Sequence, residues 1–145
     1  MTSTIEPSHL GICVSNLAQS LRFYCVGLGF EAAEAYELDS TQAEGLDRAL
    51  EVPGPVKIVS QFISRGGLKI ELLLFRSPTP EGEPSARRDR LGMTHLSFHV
   101  DDVDATAKRL EQYGGTILPT TRSNPGLELV FLTDPDGVRV ELMQA

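Results

Sequence analysis

The chain says nearly the same thing twice. GLKIEL at residues 67–72 returns as GVRVEL at 137–142, and HLGICVSNL at 9–17 returns as HLSFHVDDV at 95–103. In each copy of the first motif a glycine precedes an aliphatic residue, a base, a second aliphatic, a glutamate and a leucine. An internal repeat fixes architecture before any local reading does, because each copy must form the same unit. The two histidines are 86 positions apart and the two glutamates 70, so the first copy holds 16 additional residues between its histidine and its glutamate. The polar stretch ELDSTQAEGLDRALEVPG, residues 37–54, accommodates them, with a short helix expected around 41–50 before a Pro/Gly turn.

Each copy reads as βαβββ. An apolar strand opens it, at 8–14 and at 94–100. A capped helix follows: Asn16 with Gln19 forms a capping-box pattern, and Asp102 is the cap in the second copy. Leu17, Leu21, Tyr24 and Leu28 make one helical stripe, and Val103, Ala107 and Leu110 the other. Glycines at 27–29 and 114–115 close the helices. Strands are expected at 30–37, 56–64 and 67–75, then at 116–120, 127–133 and 137–143. RGG (65–67) and DPDG (134–137) supply the hairpin turns. The boundaries are a first module over 6–77, a Pro-, Gly- and charge-rich linker over 78–92 and a second module over 93–145, within a single domain of 1–145.

At 145 residues such a chain buries roughly 70% of its unfolded surface without disulfides or metals as staples. Its formal net charge of −7 disfavours nucleic acid, and its one dense basic patch, ARRDR at 86–90, is interrupted by an aspartate in the linker. No apolar run reaches the roughly 20 residues that span a bilayer, and MTSTIEPSHL lacks the basic-then-apolar order of a signal peptide, so a cytoplasmic protein is expected. Cys13 and Cys25 match no zinc or redox spacing and read as buried thiols outside any disulfide.

The repeat carries chemistry. Each copy places a histidine on its first strand and a glutamate on its last. A glutamate between aliphatic neighbours in a strand needs solvent or a partner. A lone histidine or glutamate in a strand is ordinarily solvated or satisfied in the core, but repetition of the pair at matching places favours ligands. His9, Glu71, His95 and Glu141, brought to one point, offer two imidazoles and two carboxylates to a divalent cation and leave a six-coordinate ion two positions for substrate.

The segments SHLGICVSNLAQSLRFYCVGLGF, GGLKIELL, THLSFHVDDVDA and FLTDPDGVRVEL together resemble the vicinal oxygen chelate superfamily, which holds glyoxalase I, methylmalonyl-CoA epimerase, extradiol dioxygenases and fosfomycin-resistance enzymes. The resemblance spans nearly the whole chain. It implies an α+β fold in which two βαβββ modules form a cup-shaped mixed sheet around a metal site, and a homodimer, the site being built in some members across the subunits. It also implies a choice among activities. Dioxygenases and fosfomycin enzymes resemble a three-ligand pattern, whereas glyoxalase I and the epimerases place a fourth ligand where this chain has Glu71. The expected reaction is therefore proton transfer next to a carbonyl through a metal-bound enediolate, catalysed by a metal-dependent isomerase or lyase acting on a small carbonyl substrate. Glu141 is the favoured base, on the strength of its counterpart in the family, and Glu71 the other candidate. An Fe(II)-dependent extradiol-type dioxygenase and a non-catalytic binding or resistance protein are the competing readings. The ligand set suits Co, Ni, Mn, Fe or Zn.

The glutathione-gripping residues of glyoxalase I are missing: Cys13 and Phe75 stand where an arginine and an asparagine would. Alternation places Cys13 with His9, His99 with His95, and Phe75 with Glu71. With Phe62 and Met143 as apolar lining and Arg122, in PTTRSNPG (119–126), as a partner for a substrate anion, these form the expected substrate-binding set.

Overall fold

The computed structural model describes residues 3–123 and 126–145. The strands and helices run β1 (Leu10–Val14), α1 (Leu17–Leu21), a π-helical turn (Arg22–Gly27), β2 (Glu31–Asp39), α2 (Leu46–Ala49), β3 (Lys57–Arg65), β4 (Leu68–Ser77), β5 (Leu96–Val100), α3 (Val103–Glu111), β6 (Thr116–Ser123), β7 (Leu129–Thr133) and β8 (Arg139–Gln144). Two four-stranded mixed sheets result, ordered β1-β4-β3-β2 and β5-β8-β7-β6. In each, the first and last strands of a module pair in parallel and the remaining pairs are antiparallel. The duplication of βαβββ is therefore real, down to register: Gly11 pairs with Glu71 as Ser97 pairs with Glu141.

The chain divides into two compact units, Met1–Leu17 with Phe30–Pro80, and Ala18–Gly29 with Glu81–Ala145. The helical segment of the first module thus clusters with the second sheet, an exchange that the repeat alone does not reveal.

In the first unit, Val14, Val59, Ile63, Ile70 and Leu72 are buried on one face, as alternation requires, while β3 also buries Ile58 and Ser60 on its other face. β2 is an edge strand, exposed along nearly its whole length. Its register slips between Ala32 and Ala35, and the Gln61 amide donates to the Ala33 carbonyl there at 2.6 Å, serving a backbone group the ladder leaves out.

In the second unit, Val103, Ala107 and Leu110 of α3 are buried with Leu132, Val140 and Leu142 of the sheet. Asp102 caps α3, its Oδ1 accepting from the Ala105 N–H at 2.9 Å. Gly114, at φ 96°, closes the helix in the left-handed region that favours glycine. The π-helical turn contributes Phe23 and Tyr24, both fully buried. The Tyr24 hydroxyl donates to Asp134 Oδ2 at 2.8 Å, while Asp134 Oδ1 accepts from the N–H groups of Asp136 and Val138 and so closes the DPDG turn. Burial pushes the Asp134 carboxyl above its usual pKa despite these bonds, and burial beside Asp134 pushes the Tyr24 phenol well above its own.

Three expectations need correction. Neither cysteine forms a disulfide, but Cys13 is exposed and Cys25 half-buried, because β1 turns its Cys13 face outward. β6 runs on to Ser123, past the expected end at 120, since Ser123 pairs with Leu129 after a shift of register beyond Leu118. The insertion helix spans only Leu46–Ala49. No helix among the described residues is long and apolar enough to cross a membrane.

Candidate metal-binding site

Each sheet carries one histidine–glutamate pair, built the same way. His9 stands at the start of β1 with its Nε2 3.7 Å from Glu71 Oε1 on the neighbouring β4. His95 stands at the start of β5 with its Nε2 3.6 Å from Glu141 Oε2 on the neighbouring β8. The residue before each histidine is a hydroxyl: Ser8 Oγ lies 2.8 Å from His9 Nδ1, and Thr94 Oγ1 lies 2.8 Å from His95 Nδ1. When each ring donates Nδ1–H to that hydroxyl, the Nε2 lone pair faces the glutamate.

The carboxylates are anchored in turn. Ser60 Oγ donates to Glu71 Oε2 at 2.7 Å, and Ser97 Oγ donates to Glu141 Oε1 at 2.8 Å. The remaining oxygen of each is the one nearest the histidine. An aromatic ring completes both halves: Phe62 on β3 and Phe131 on β7 each meet the imidazole edge-to-face with centroids 5.1 Å apart. Phe62 pairs with Glu71 and Phe131 with Glu141 across their hairpins.

Does a divalent cation fit such a pair? The separations of 3.6 and 3.7 Å are too long for hydrogen bonds. Two donors at about 2.1 Å from one ion lie roughly 3.0 Å apart at a right angle and about 4.2 Å apart in line. Both pairs fall inside that range, with Nε2 presented, the carboxylate oriented by a hydroxyl and the outer nitrogen held, as ligating groups usually are. The donor set fits. No three His, Cys, Asp or Glu side chains gather into a metal cluster among the described residues. What the structure brings together is His9 with Glu71, and His95 with Glu141.

The other expected site residues are placed as follows. Cys13 is exposed on β1, His99 is exposed on β5, and Met143, half-buried, pairs with His99 across β8. Phe75 is half-buried on β4, past Glu71. Arg122 donates to both carboxylate oxygens of Asp104 at 2.9 and 3.0 Å and lies 3.5 Å from Glu128, so its guanidinium is engaged within the protein. Those contacts hold its pKa up and that of Asp104 down, the hydrogen bond between them being the chief cause of each shift. Asn124 and Pro125 of PTTRSNPG lie outside the described residues. The hydroxyls of Ser8, Thr94 and Ser60, and the ring of Phe131, escaped the sequence reading; alternation puts Ser97 on the face of His95 but does not reveal its bond to Glu141. SHL and THL open the repeated segments, so the first two were visible as a recurrent hydroxyl before each histidine.

A family model described as Glyoxalase/Bleomycin resistance protein/Dioxygenase superfamily matches residues 7–142. The uncharacterized protein YaeR of Escherichia coli (strain K12) is 32% identical over 138 residues, covering 94% of this chain and 93% of that protein. A glyoxalase family protein from Bacillus cereus superimposes with a TM-score of 0.80 at 19% identity, over 99% of this chain and 95% of that one. The fosfomycin resistance protein FosX from Listeria monocytogenes, solved with Mn(II) and sulfate, superimposes with a TM-score of 0.60 at 18% identity, over 100% and 94% of the two chains.

Proposed function

This chain belongs to the Glyoxalase/Bleomycin resistance protein/Dioxygenase superfamily, and from that premise we propose that it is a metal-dependent isomerase or lyase that moves a proton on the carbon next to a carbonyl. The observation that carries this reading is the duplicated pair, each histidine 3.6–3.7 Å from its glutamate and each group oriented by its own hydroxyl. His9, Glu71, His95 and Glu141 would together hold one divalent ion (Co, Ni, Mn, Fe or Zn), the two pairs drawn from one chain or from the two chains of a homodimer. When bound, that ion supplies Lewis-acid stabilisation of the negative charge that develops on a carbonyl oxygen.

The chain's own groups do the rest. The imidazoles, locked by Ser8 and Thr94, keep their Nε2 atoms in place. Glu141 keeps one oxygen on Ser97 and has the other available, so it can leave a ligating position and accept the substrate's proton without losing its orientation. Glu71, held by Ser60 in the same way, is the other candidate for the base, and Glu141 is preferred on its counterpart in the family. Phe62 and Phe131 pack edge-to-face against the imidazoles and help fix their orientation. The substrate is a small carbonyl compound and the working form a homodimer.

The test is proton exchange. Metal-loaded protein in deuterated water should wash deuterium into the position next to the carbonyl of a 2-hydroxy ketone, followed by NMR. Glu141→Gln should stop the exchange. Exchange at the full rate in Glu141→Gln with its metal retained would refute the assignment of the base.

A further inference from the structure

Beside the His95–Glu141 pair the second unit has a cavity of about 200 Å³ lined by Ala86, Arg88, Leu118, Thr121, Phe131 and Arg139. Two of these six are arginines, in a chain whose net charge is −7. Arg139 lies on β8 two residues before Glu141, hence on the same face of the strand. Arg88 comes from the linker and is tied to the site: its guanidinium donates to the carbonyls of Thr94 and Ser85, and Thr94 is the residue whose hydroxyl holds His95. Phe131 belongs both to the cavity wall and to the edge contact with His95.

Both arginines line this one cavity, and burial first and the Arg139 charge second hold the Arg88 pKa below its usual value. Neither is paired with a carboxylate among the described residues. The only hydrogen-bond acceptors they have there are main-chain carbonyls, those of Thr94 and Ser85 for Arg88 and that of Gly137 for Arg139. A guanidinium carries five N–H donors, so both have donors to spare. Like charges converging on one pocket repel unless an anion joins them, and arginine's planar fork matches a carboxylate or phosphoryl oxygen pair. The first unit offers a contrast. Lys69, the repeat equivalent of Arg139, sits over the Phe62 ring at 4.6 Å.

We infer that Arg88 and Arg139 form an oxyanion subsite that takes the carboxylate or phosphoryl group of a small organic anion beside the His95–Glu141 pair. Leu118 and Phe131 receive the carbon next to that group. A cavity of about 200 Å³ lies below the roughly 300–1,000 Å³ of drug-sized sites, which suits a small metabolite and excludes a polymer. As a statement about substrate this rests on the isomerase or lyase reading; as a binding site it stands without it.

Metal-free protein, prepared with a chelator, is titrated by NMR and calorimetry with inorganic phosphate, with pyruvate and with the uncharged methyl ester of pyruvate. The two anions should bind saturably and the ester should not. The tighter anion identifies the group as phosphoryl or carboxylate. Arg88→Gln and Arg139→Gln should each weaken binding about tenfold or more. Arg139→Lys should retain part of it, and Arg87→Gln, which removes a neighbouring arginine already paired with Asp89, should change little. Unchanged circular dichroism and thermal midpoints would show that the variants are folded. His95→Ala, which should lose metal, should keep the anion. Absence of saturable binding, equal binding in all arginine variants, or loss with His95→Ala but not with Arg88→Gln would each overturn the subsite while leaving the metal reading standing.

Discussion

The two histidine–glutamate pairs reach one geometry by different routes. In the first module the hydroxyl on the glutamate comes from Ser60, on the antiparallel neighbour β3. In the second it comes from Ser97, on the parallel neighbour β5. The vacated positions are Gly11, opposite Glu71 where Ser97 stands opposite Glu141, and Leu129, two residues before Phe131 as Ser60 is before Phe62. Position is conserved between the copies where a group must meet the histidine, and exchanged where only an anchor is needed. The bases diverge further: Lys69 lies over an aromatic ring, and Arg139 faces a cavity.

This comparison can be broken or sharpened by mutation. Leu72 and Leu142 occupy equivalent positions and are both fully buried. Leu72→Ala and Leu142→Ala should each cost about 2–5 kcal/mol by denaturant unfolding, the spread reflecting how far each core collapses. A cost near zero for either would mean that its sheet lacks the packed face described. Ser60→Ala and Ser97→Ala should each weaken divalent metal binding roughly 10–100-fold in a chelator competition, as loss of a group that orients a ligand does. If one serine matters and the other does not, the equivalence of the two routes fails. Gly11→Ser is a constructive test. A Cβ at Gly11 meets nothing within 4 Å, so combined with Ser60→Ala it installs the second module's anchor in the first. It should recover most of the affinity that Ser60→Ala alone loses.

The smallest effect concerns pH. Asp134 is buried in the DPDG turn, whereas the matching turn in the first module, RGG, has no carboxylate. Its folded-state pKa is raised above the ordinary 3.8, with burial as the first cause. The folded chain therefore binds this proton more tightly than the unfolded chain. Its contribution to stability is fully present below the unfolded value and is lost as pH rises through the folded one. Asp134→Asn should flatten that slope when urea midpoints are compared across the acid range, and a steeper slope in the variant would contradict the sign.

Periodicity and turn chemistry were enough for the strands, for Asp102 as a helix cap and for both histidine–glutamate pairs, because these are local or repeated. The clustering of residues 18–29 with the second unit was not legible, since an apolar stripe such as Tyr24 and Leu28 states that it must be buried but not against which sheet. The anchoring roles of Ser60 and Ser97 were hidden for a related reason. Their partners lie across strands, and only register tells which hydroxyl faces which carboxylate. Arg88 read only as part of ARRDR, the basic patch of the linker. Its role depends on the linker folding back onto the Thr94 carbonyl, a tertiary contact with no local signature.

The central claim is that both pairs serve a single ion, and metal stoichiometry tests it most directly. Purified protein loaded with Co(II) or Mn(II) and freed of excess metal should hold one ion per chain, and His9→Ala and His95→Ala should each abolish that one site. Two ions per chain, or a variant that loses one pair's ion and keeps the other's at full affinity, would show that the pairs act separately and would contradict the account.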